Sequence, residues 1–447
     1  MKYTQLSVIC ALLPTIAFAT DDDCMTRRTV PDGVLDLETV VELGLCRNPE
    51  TASAYYSLEA TRLNKNAGYA DYLPSVNASA SFSKSYNNER WGDWQYSGPG
   101  GGVSISATYL IFDFGKRLAN LNQLAATWRA TGFDYDERVQ NYVYGVIGAY
   151  YSLLNADADV ESAKTARSVA KNALDAANQK YKSGVVARAD VYKAETTLAS
   201  RDLDLERAKN NREISKGTLL TKLAFPADQD IKIADMSGDF GTPRENKNID
   251  ELIEIARERR PDLLRASANK DAAWHRRNVA FLKNLPSISA TGSVSWGGDS
   301  FGDMFVPTSE KINGSIGIRA SMPIFAGFAN MYGLRSAQAS YDSATENVRS
   351  TNNNAMLDVF SAYQNYKTAQ TVLTQTVTLL KSATESERLS AGMYRAGRST
   401  MLDWQTAQSE LVSAQKQNNA AKYDLYTKRA ALALAIGDIK SELEKDE

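Results

Sequence analysis

The sequence predicts an α+β protein made of long antiparallel coiled helical hairpins and a few membrane-type β-strands. Three observations carry that reading. The chain is written twice at an offset of 212 to 213 residues, each copy holds a long proline-free window with heptad spacing, and each copy holds two segments in which apolar and small polar residues alternate. With 447 residues, 43% apolar and 23% charged side chains and a net charge of -2, the chain is neither disordered nor a nucleic-acid binder by charge. The body has no run of eighteen apolar residues, which excludes a helical membrane protein. It does not exclude a β-barrel, whose lipid face is written in alternation.

At the start, Lys2, an apolar stretch from Leu6 to Phe18 and the small-residue pattern Ala17-Phe18-Ala19 read as a secretory signal peptide over residues 1–19. A lipid anchor on Cys24 is the alternative, but Asp21, Asp22 and Asp23 stand where a lipoprotein signal needs small or apolar residues. Cys10 leaves with the signal, so Cys24 and Cys46 remain in an oxidising compartment and form a candidate disulfide; two separate thiols are the other reading. The mature chain then divides into a first repeat (20–224), a linker (225–242), a second repeat (243–437) and a C-terminal tail (438–447).

The duplication is collinear. Arg47-Asn48-Pro49-Glu50 returns as Arg259-Arg260-Pro261-Asp262, Leu73-Pro74 as Leu285-Pro286, and Ile111-Phe112 as Ile324-Phe325. Ala149-Tyr150 returns as Ala362-Tyr363, and Tyr181, Gly184, Asp190 and Ala194 return as Tyr394, Gly397, Asp403 and Ala407. Each copy opens with short helices around its X-Pro motif.

Next come the alternating segments. Val76, Ala78, Ala80 and Phe82 alternate with serines and Asn77, and Val103, Ile105, Ala107 and Tyr109 alternate with Ser104, Ser106 and Thr108. The second copy repeats this with Ile288, Ala290, Val294 and Trp296, then with Ile316, Ile318, Ala320 and Met322. These are four strands of about ten residues, the length of a transmembrane β-strand. A soluble half-buried sheet shows the same alternation, but a secretory signal and very long helices favour the membrane. Four strands cannot close a barrel, so two, three or four chains must pool theirs. The segments 86–101 and 297–311, with Trp91, Trp94, Tyr96, Phe301 and Phe305, read as exposed loops.

The long helices follow. No proline occurs between Gly100 and Phe225 or after Pro323. Tyr142, Val146, Ala149, Leu153, Ala156, Val160, Ala163, Ala170, Leu174, Ala177 and Tyr181 keep a 4-3 spacing broken only by Arg167, which predicts a left-handed supercoiled seam. A helix over residues 116–180 reaches about 100 Å. Partners are predicted over 187–223, 329–393 and 400–436, the last with a small-residue seam of Ala407, Leu411, Ala414, Asn418, Ala421 and Leu425. Gly184 and Gly397 supply the tight turns that fold each long pair into a hairpin.

Catalytic chemistry is not written here. His275 is the only histidine and lies on a polar helical stretch, and no metal-spaced Cys/His cluster, phosphate-cradling glycine loop or Gly-x-Ser-x-Gly turn occurs. The expectation is therefore no enzyme, no cofactor and no metal.

The combination of Asn48-Pro49, Tyr72-Leu73-Pro74, Ile111-Phe112-Asp113-Phe114-Gly115 and the hairpin tips 181–195 and 394–408 resembles the TolC-like outer-membrane efflux protein family over nearly the whole mature chain. The resemblance implies a homotrimer whose strands form a twelve-stranded outer-membrane barrel, continued by an α-barrel across the periplasm. It implies docking of the tips, with Gly184 and Gly397 at their turns, to a periplasmic adaptor, and energy from an inner-membrane ABC or proton-driven transporter. It also implies a periplasmic gate. Asp190 falls on the acid of the first tip that bonds a tyrosine of the second, here Tyr394, and Asp403 falls on a pore-ring aspartate. The pattern departs at Thr406, where a second ring acid is expected, and at Ser399, where an arginine is expected; Arg398 is its neighbouring substitute. For Asp403 the alternative is an ordinary acid at a helix N-terminus. Cys24 and Cys46 near Asn48-Pro49 look like family members that serve type I protein secretion. The alternative function is a periplasmic coiled-coil adaptor or scaffold that never enters a membrane.

Overall fold

The computed structural model describes residues 29–31, 33–88, 94–235, 248–298 and 311–442. The expected signal peptide, Cys24, Trp91, Phe301, Phe305 and the end of the tail lie outside the described residues. The chain runs β1 (Val34–Leu35), α1 (Leu37–Arg47), α2 (Pro49–Ala67), β2 (Ser75–Asn88), β3 (Trp94–Phe112), α3 (Lys116–Lys182) and α4 (Arg188–Lys222). It continues with β4 (Lys232–Ile233), α5 (Ile249–Arg259), α6 (Pro261–Leu282), β5 (Ser287–Gly298), β6 (Lys311–Ser321), α7 (Ala329–Arg395) and α8 (Met401–Ala435). The second series repeats the first: α3 and α7 each have 67 residues, and α4 and α8 each have 35. All four long helices fall within two residues of the ends expected from proline and glycine placement. None of the described helices is long and apolar enough to cross a membrane.

The X-Pro motifs begin helices. The Asn48 carboxamide oxygen accepts from the backbone N–H of Glu50 (2.7 Å) and Thr51 (3.1 Å), and Pro49 fills the first helical position, where a missing N–H costs nothing. Arg47 donates to the Ala224 carbonyl at 3.2 Å, and Arg260 in the second copy donates to the Ala435 carbonyl at 3.1 Å, so each short helix is tied to the end of a long one.

Strand passes to helix through a left-handed pair, Phe114 (φ 54°) and Gly115 (φ 86°), then again at Gly327 (φ 59°) and Phe328 (φ 65°). In the first copy buried Asp113 accepts from the N–H groups of Gly115 and Arg117. The Arg117 guanidinium in turn donates to the carbonyls of Leu110 (2.8 Å) and Ile111 (3.2 Å). The Ile-Phe-Asp-Phe-Gly run is thus a helix-starting turn.

The four long strands form one antiparallel sheet in the order β2-β3-β5-β6. Its register puts Val76, Ala107, Ala78, Ile105, Val294, Trp296, Ile312, Ile316 and Ile318 on one face, and Ser79, Ser104, Ser295, Ser106, Ser293 and Ser315 on the other. Serine hydroxyls bond across strands, Ser79 to Ser104 at 2.8 Å and Ser293 to Ser315 at 2.9 Å. The apolar face is bare: Ile316 is 93% exposed and Ile312 and Ile318 are 76% exposed. One expectation is corrected. Residues 86–88 and 94–101 are strand and not loop, because β2 has 14 residues and β3 has 19, paired out to Asn88 and Trp94 past a register shift between Ser83 and Ser85. Glycines 100–102 hide the alternation there, and Gly102 faces Gly297 so closely that a Cβ on Gly297 would lie 2.7 Å from the Gly101 carbonyl.

The described chain forms two compact units, and neither is one copy of the repeat. One comprises residues up to Ala54, 135–261 and 353 onward; the other comprises 55–134 and 262–352, so each joins matching segments of both copies. The first unit contains the main core, where Val40, Val41, Val146, Ile147, Tyr150, Leu153, Leu219, Leu220 and Leu223 are all almost fully buried. The heptad seam of α3 is buried from Tyr142 to Ala177 except at Arg167, which pairs with Asp202 of α4, and Leu174, which is partly buried.

Candidate functional site at the hairpin tips

Both tips are closed by the same backbone device. Gly184 (φ 73°) donates its N–H to Tyr181 O at 3.0 Å and Val185 donates to Lys180 O at 2.9 Å. Gly397 (φ 75°) donates to Tyr394 O at 3.0 Å and Arg398 to Met393 O at 2.9 Å. The positive φ is what requires glycine at each turn.

The helices that leave the turns begin differently. Thr400 caps α8: its hydroxyl accepts from the Asp403 N–H at 3.2 Å, and the Asp403 carboxylate accepts from Thr400 N (2.9 Å), Thr400 Oγ1 (2.8 Å) and Ser399 Oγ (2.9 Å). These hydrogen bonds, the backbone one first, hold the Asp403 carboxyl below the usual carboxylate range. In α4 the matching cap is Ala187, which has no side-chain acceptor, so Asp190 sits in the first turn with Lys193 4.0 Å away. Asp403 is therefore a capping acid, as its position at a helix N-terminus allowed, and it is exposed.

Tyr394 is the centre of the tip core. It is 2% exposed among Ala173, Ala177, Val191, Ala194, Met401 and Trp404, a cluster drawn from all four long helices. Its ring lies 5.3 Å from that of Trp404, and the Lys180 ammonium sits 4.2 Å above it while donating to the Tyr394 carbonyl. Trp404 Nε1 donates to Glu387 at 2.8 Å. The expected bond from Tyr394 to Asp190 is not formed: the hydroxyl is buried with no hydrogen-bond partner. The ring is drawn into the apolar pocket under Lys180. Burial first, and the charge of Asp190 second, push the hydroxyl pKa up.

Further links join the hairpins. Gln405 Nε2 donates to Thr197 Oγ1 at 2.8 Å, and Arg201 donates to Ser409 Oγ at 3.1 Å. Arg398 is exposed, and its guanidinium has no partner among the described residues; Thr406 bonds only its own helix, to Leu402 O at 3.0 Å. The sequence reading named Asp190, Tyr394, Arg398 and Asp403 but did not name Lys180, Glu387, Thr197 and Gln405, which the structure brings to the same tips. Lys180 and Tyr394 are 214 residues apart, and only the fold brings them together. The Thr400-to-Asp403 cap was visible as a Thr-x-x-Asp spacing. Cys46 is disulfide-bonded, to a residue outside the described set. Among the described residues no group of His, Cys, Asp or Glu is arranged to hold a metal ion.

Comparison with known proteins agrees with this architecture. The chain is 23% identical over 415 residues to the protein CyaE of Bordetella pertussis, covering 92% of this chain and 86% of that one. It is 26% identical over 336 residues to the outer membrane protein TolC of Vibrio cholerae, covering 70% and 72%. The solved structure of the outer-membrane channel OprN superposes with a TM-score of 0.79 at 20% identity, covering 93% of this chain and 95% of that one. Membership of a channel family sets aside the soluble adaptor or scaffold reading. The family model for outer membrane efflux proteins matches residues 40–224 and 252–438, one segment in each copy, and the chain belongs to that family.

Proposed function

We propose that this outer-membrane protein works as one of three identical subunits of a passive export duct. The observation that carries the reading is the four-stranded sheet: one face is bare and apolar, the other is lined with serine, and both edges are unpaired among the described residues. Edges and an apolar face cannot stand in lipid unless the sheet closes, and the smallest membrane barrels have eight strands. Three chains supply twelve. The serine face then lines a water-filled lumen whose hydroxyls already satisfy one another, so it holds passing cargo weakly.

The helical hairpins continue the duct into the periplasm, and the tips at Gly184 and Gly397 are where a periplasmic adaptor docks. In this reading the duct is passive and not an enzyme, and transport draws its energy from an inner-membrane ABC or proton-driven transporter. Its cargo is protein, as in type I secretion, or small molecules. A disulfide between Cys24 and Cys46 ties the mature N-terminus to α1. The two repeats, 20–224 and 243–437, each give two strands and one hairpin.

The gate follows from the tip geometry. Asp403 is exposed and kept ionised by its cap, so three copies around the axis form a ring of carboxylates that attracts cations. Arg398, without a side-chain partner among the described residues, bonds the partner subunit in this reading, Asp190 adds a second acid near the tip, and Tyr394 packs the two tips of one chain together.

The test is single-channel recording of detergent-purified protein in a planar bilayer. Wild type is expected to give small cation-selective steps that trivalent cations block, and Asp403→Asn is expected to lose most of both properties. Selectivity and block unchanged in Asp403→Asn remove Asp403 from the pore. A protein extracted without detergent as a soluble monomer overturns the duct.

A further inference from the structure

The four strands of the membrane sheet carry Lys84, Lys311 and Arg319 and not one Asp or Glu. Arg319 lies on edge strand β6, and its place is set by its partner on β5 and by its neighbours along the strand. It pairs with Ser289, which pairs in turn with Leu110, and it lies between Gly317 and Ser321 along β6. Ile318 and Ala320 on either side of it belong to the apolar face, so Arg319 belongs to the serine face. Its side chain is exposed and makes no hydrogen bond or ion pair among the described residues. The matching position in the first copy is Ser106, so the cation is present once per chain and is not part of the repeated design.

We propose that Arg319 forms, inside the assembled barrel, a ring of three guanidinium groups that binds phosphate or carboxylate groups as they pass. The inference rests on the duct reading above. The serine face has no acid to neutralise the ring, and three like charges facing one lumen repel until an oxyanion lies between them. Guanidinium is suited to the task because its planar donors match two oxygens of a phosphate or carboxylate. The ring lies near the β6 end that leads to α7, so the duct has a cationic, anion-binding site opposite in sign to the proposed ring of Asp403 carboxylates.

Planar-bilayer recording with inorganic pyrophosphate added on the loop side tests the ring. Wild type is expected to be blocked, the block weakening as salt is raised. Arg319→Gln is expected to need about tenfold more pyrophosphate or beyond, since each lost charge removes one Coulomb contact with a polyvalent anion. Arg319→Lys is expected to keep part of the block. Equal block of wild type and Arg319→Gln, with both running as the same heat-sensitive oligomer, overturns the ring and leaves the duct standing. No block of wild type does the same. An inserted, folded oligomer that never conducts overturns the duct and the ring with it.

Discussion

The Asp403 carboxylate starts α8 through its hydrogen bonds to Thr400 and Ser399, and it is the group proposed above for the pore ring. Its folded pKa is depressed, so the cap is fully present above the ordinary carboxylate pKa of about 4 and is lost as pH falls through the depressed value. Measured against intrinsic rates, amide exchange at Asp403 and Trp404 is therefore expected to accelerate as pH falls through the depressed value. Thr400→Ala should bring the same acceleration at neutral pH, costing about 1 kcal/mol, while Thr400→Ser should not. Slow exchange retained in Thr400→Ala would show that packing of Met401 and Trp404, not the cap, holds the helix start. The cap could be read in the sequence because it spans four residues; the Lys180–Tyr394 contact could not, because cation and ring come from different repeats. The pairing of Tyr394 with Asp190 was misjudged for the same reason, since spacing gives no hint that Trp404 and Met401 build a pocket for the ring.

The long helices were legible almost to the residue because proline, glycine and a heptad seam are each local and each binary in effect. Strand ends were less so. Alternation marks a strand where side chains differ, and Gly100, Gly101 and Gly102 carry no side chain, so the upper part of β3 looked like loop. The faces themselves were clear, and they make a sharp prediction. Ile316→Lys puts a charge on the bare apolar face and is expected to cost about 2–4 kcal/mol of membrane stability, read as loss of the heat-sensitive oligomer. Ser293→Lys, on the opposite face and in register with Ser106 and Ser315, is expected to assemble normally. The reverse pattern would exchange lipid and lumen faces.

At the scale of the molecule, repetition in sequence did not predict which parts would pack together. The compact units cut across the two copies because a hairpin cannot bury its seam alone and takes the matching hairpin as its partner. The same logic applies at the sheet. Within the chain, β3 ends the first copy's strand pair and β5 opens the second's, and they are joined with Ile105 facing Val294 and Ala107 facing Gly292. In the proposed barrel, β6 of one chain and β2 of the next would stand in that same relation. Displaced by the repeat offsets of 213 and 212 residues, the inner joint predicts Ile318 opposite Phe82 of the partner subunit. Ile318→Cys combined with Phe82→Cys is expected to give covalent trimers on oxidation, whereas monomers only, or a ladder ending at two or four chains, would contradict the register or the number. In the proposed trimer the β3–β5 seam would thus be a specimen of the contact between subunits carried inside every subunit: to such a barrel wall, a boundary between molecules and a fold within one would be the same joint met six times around the circle.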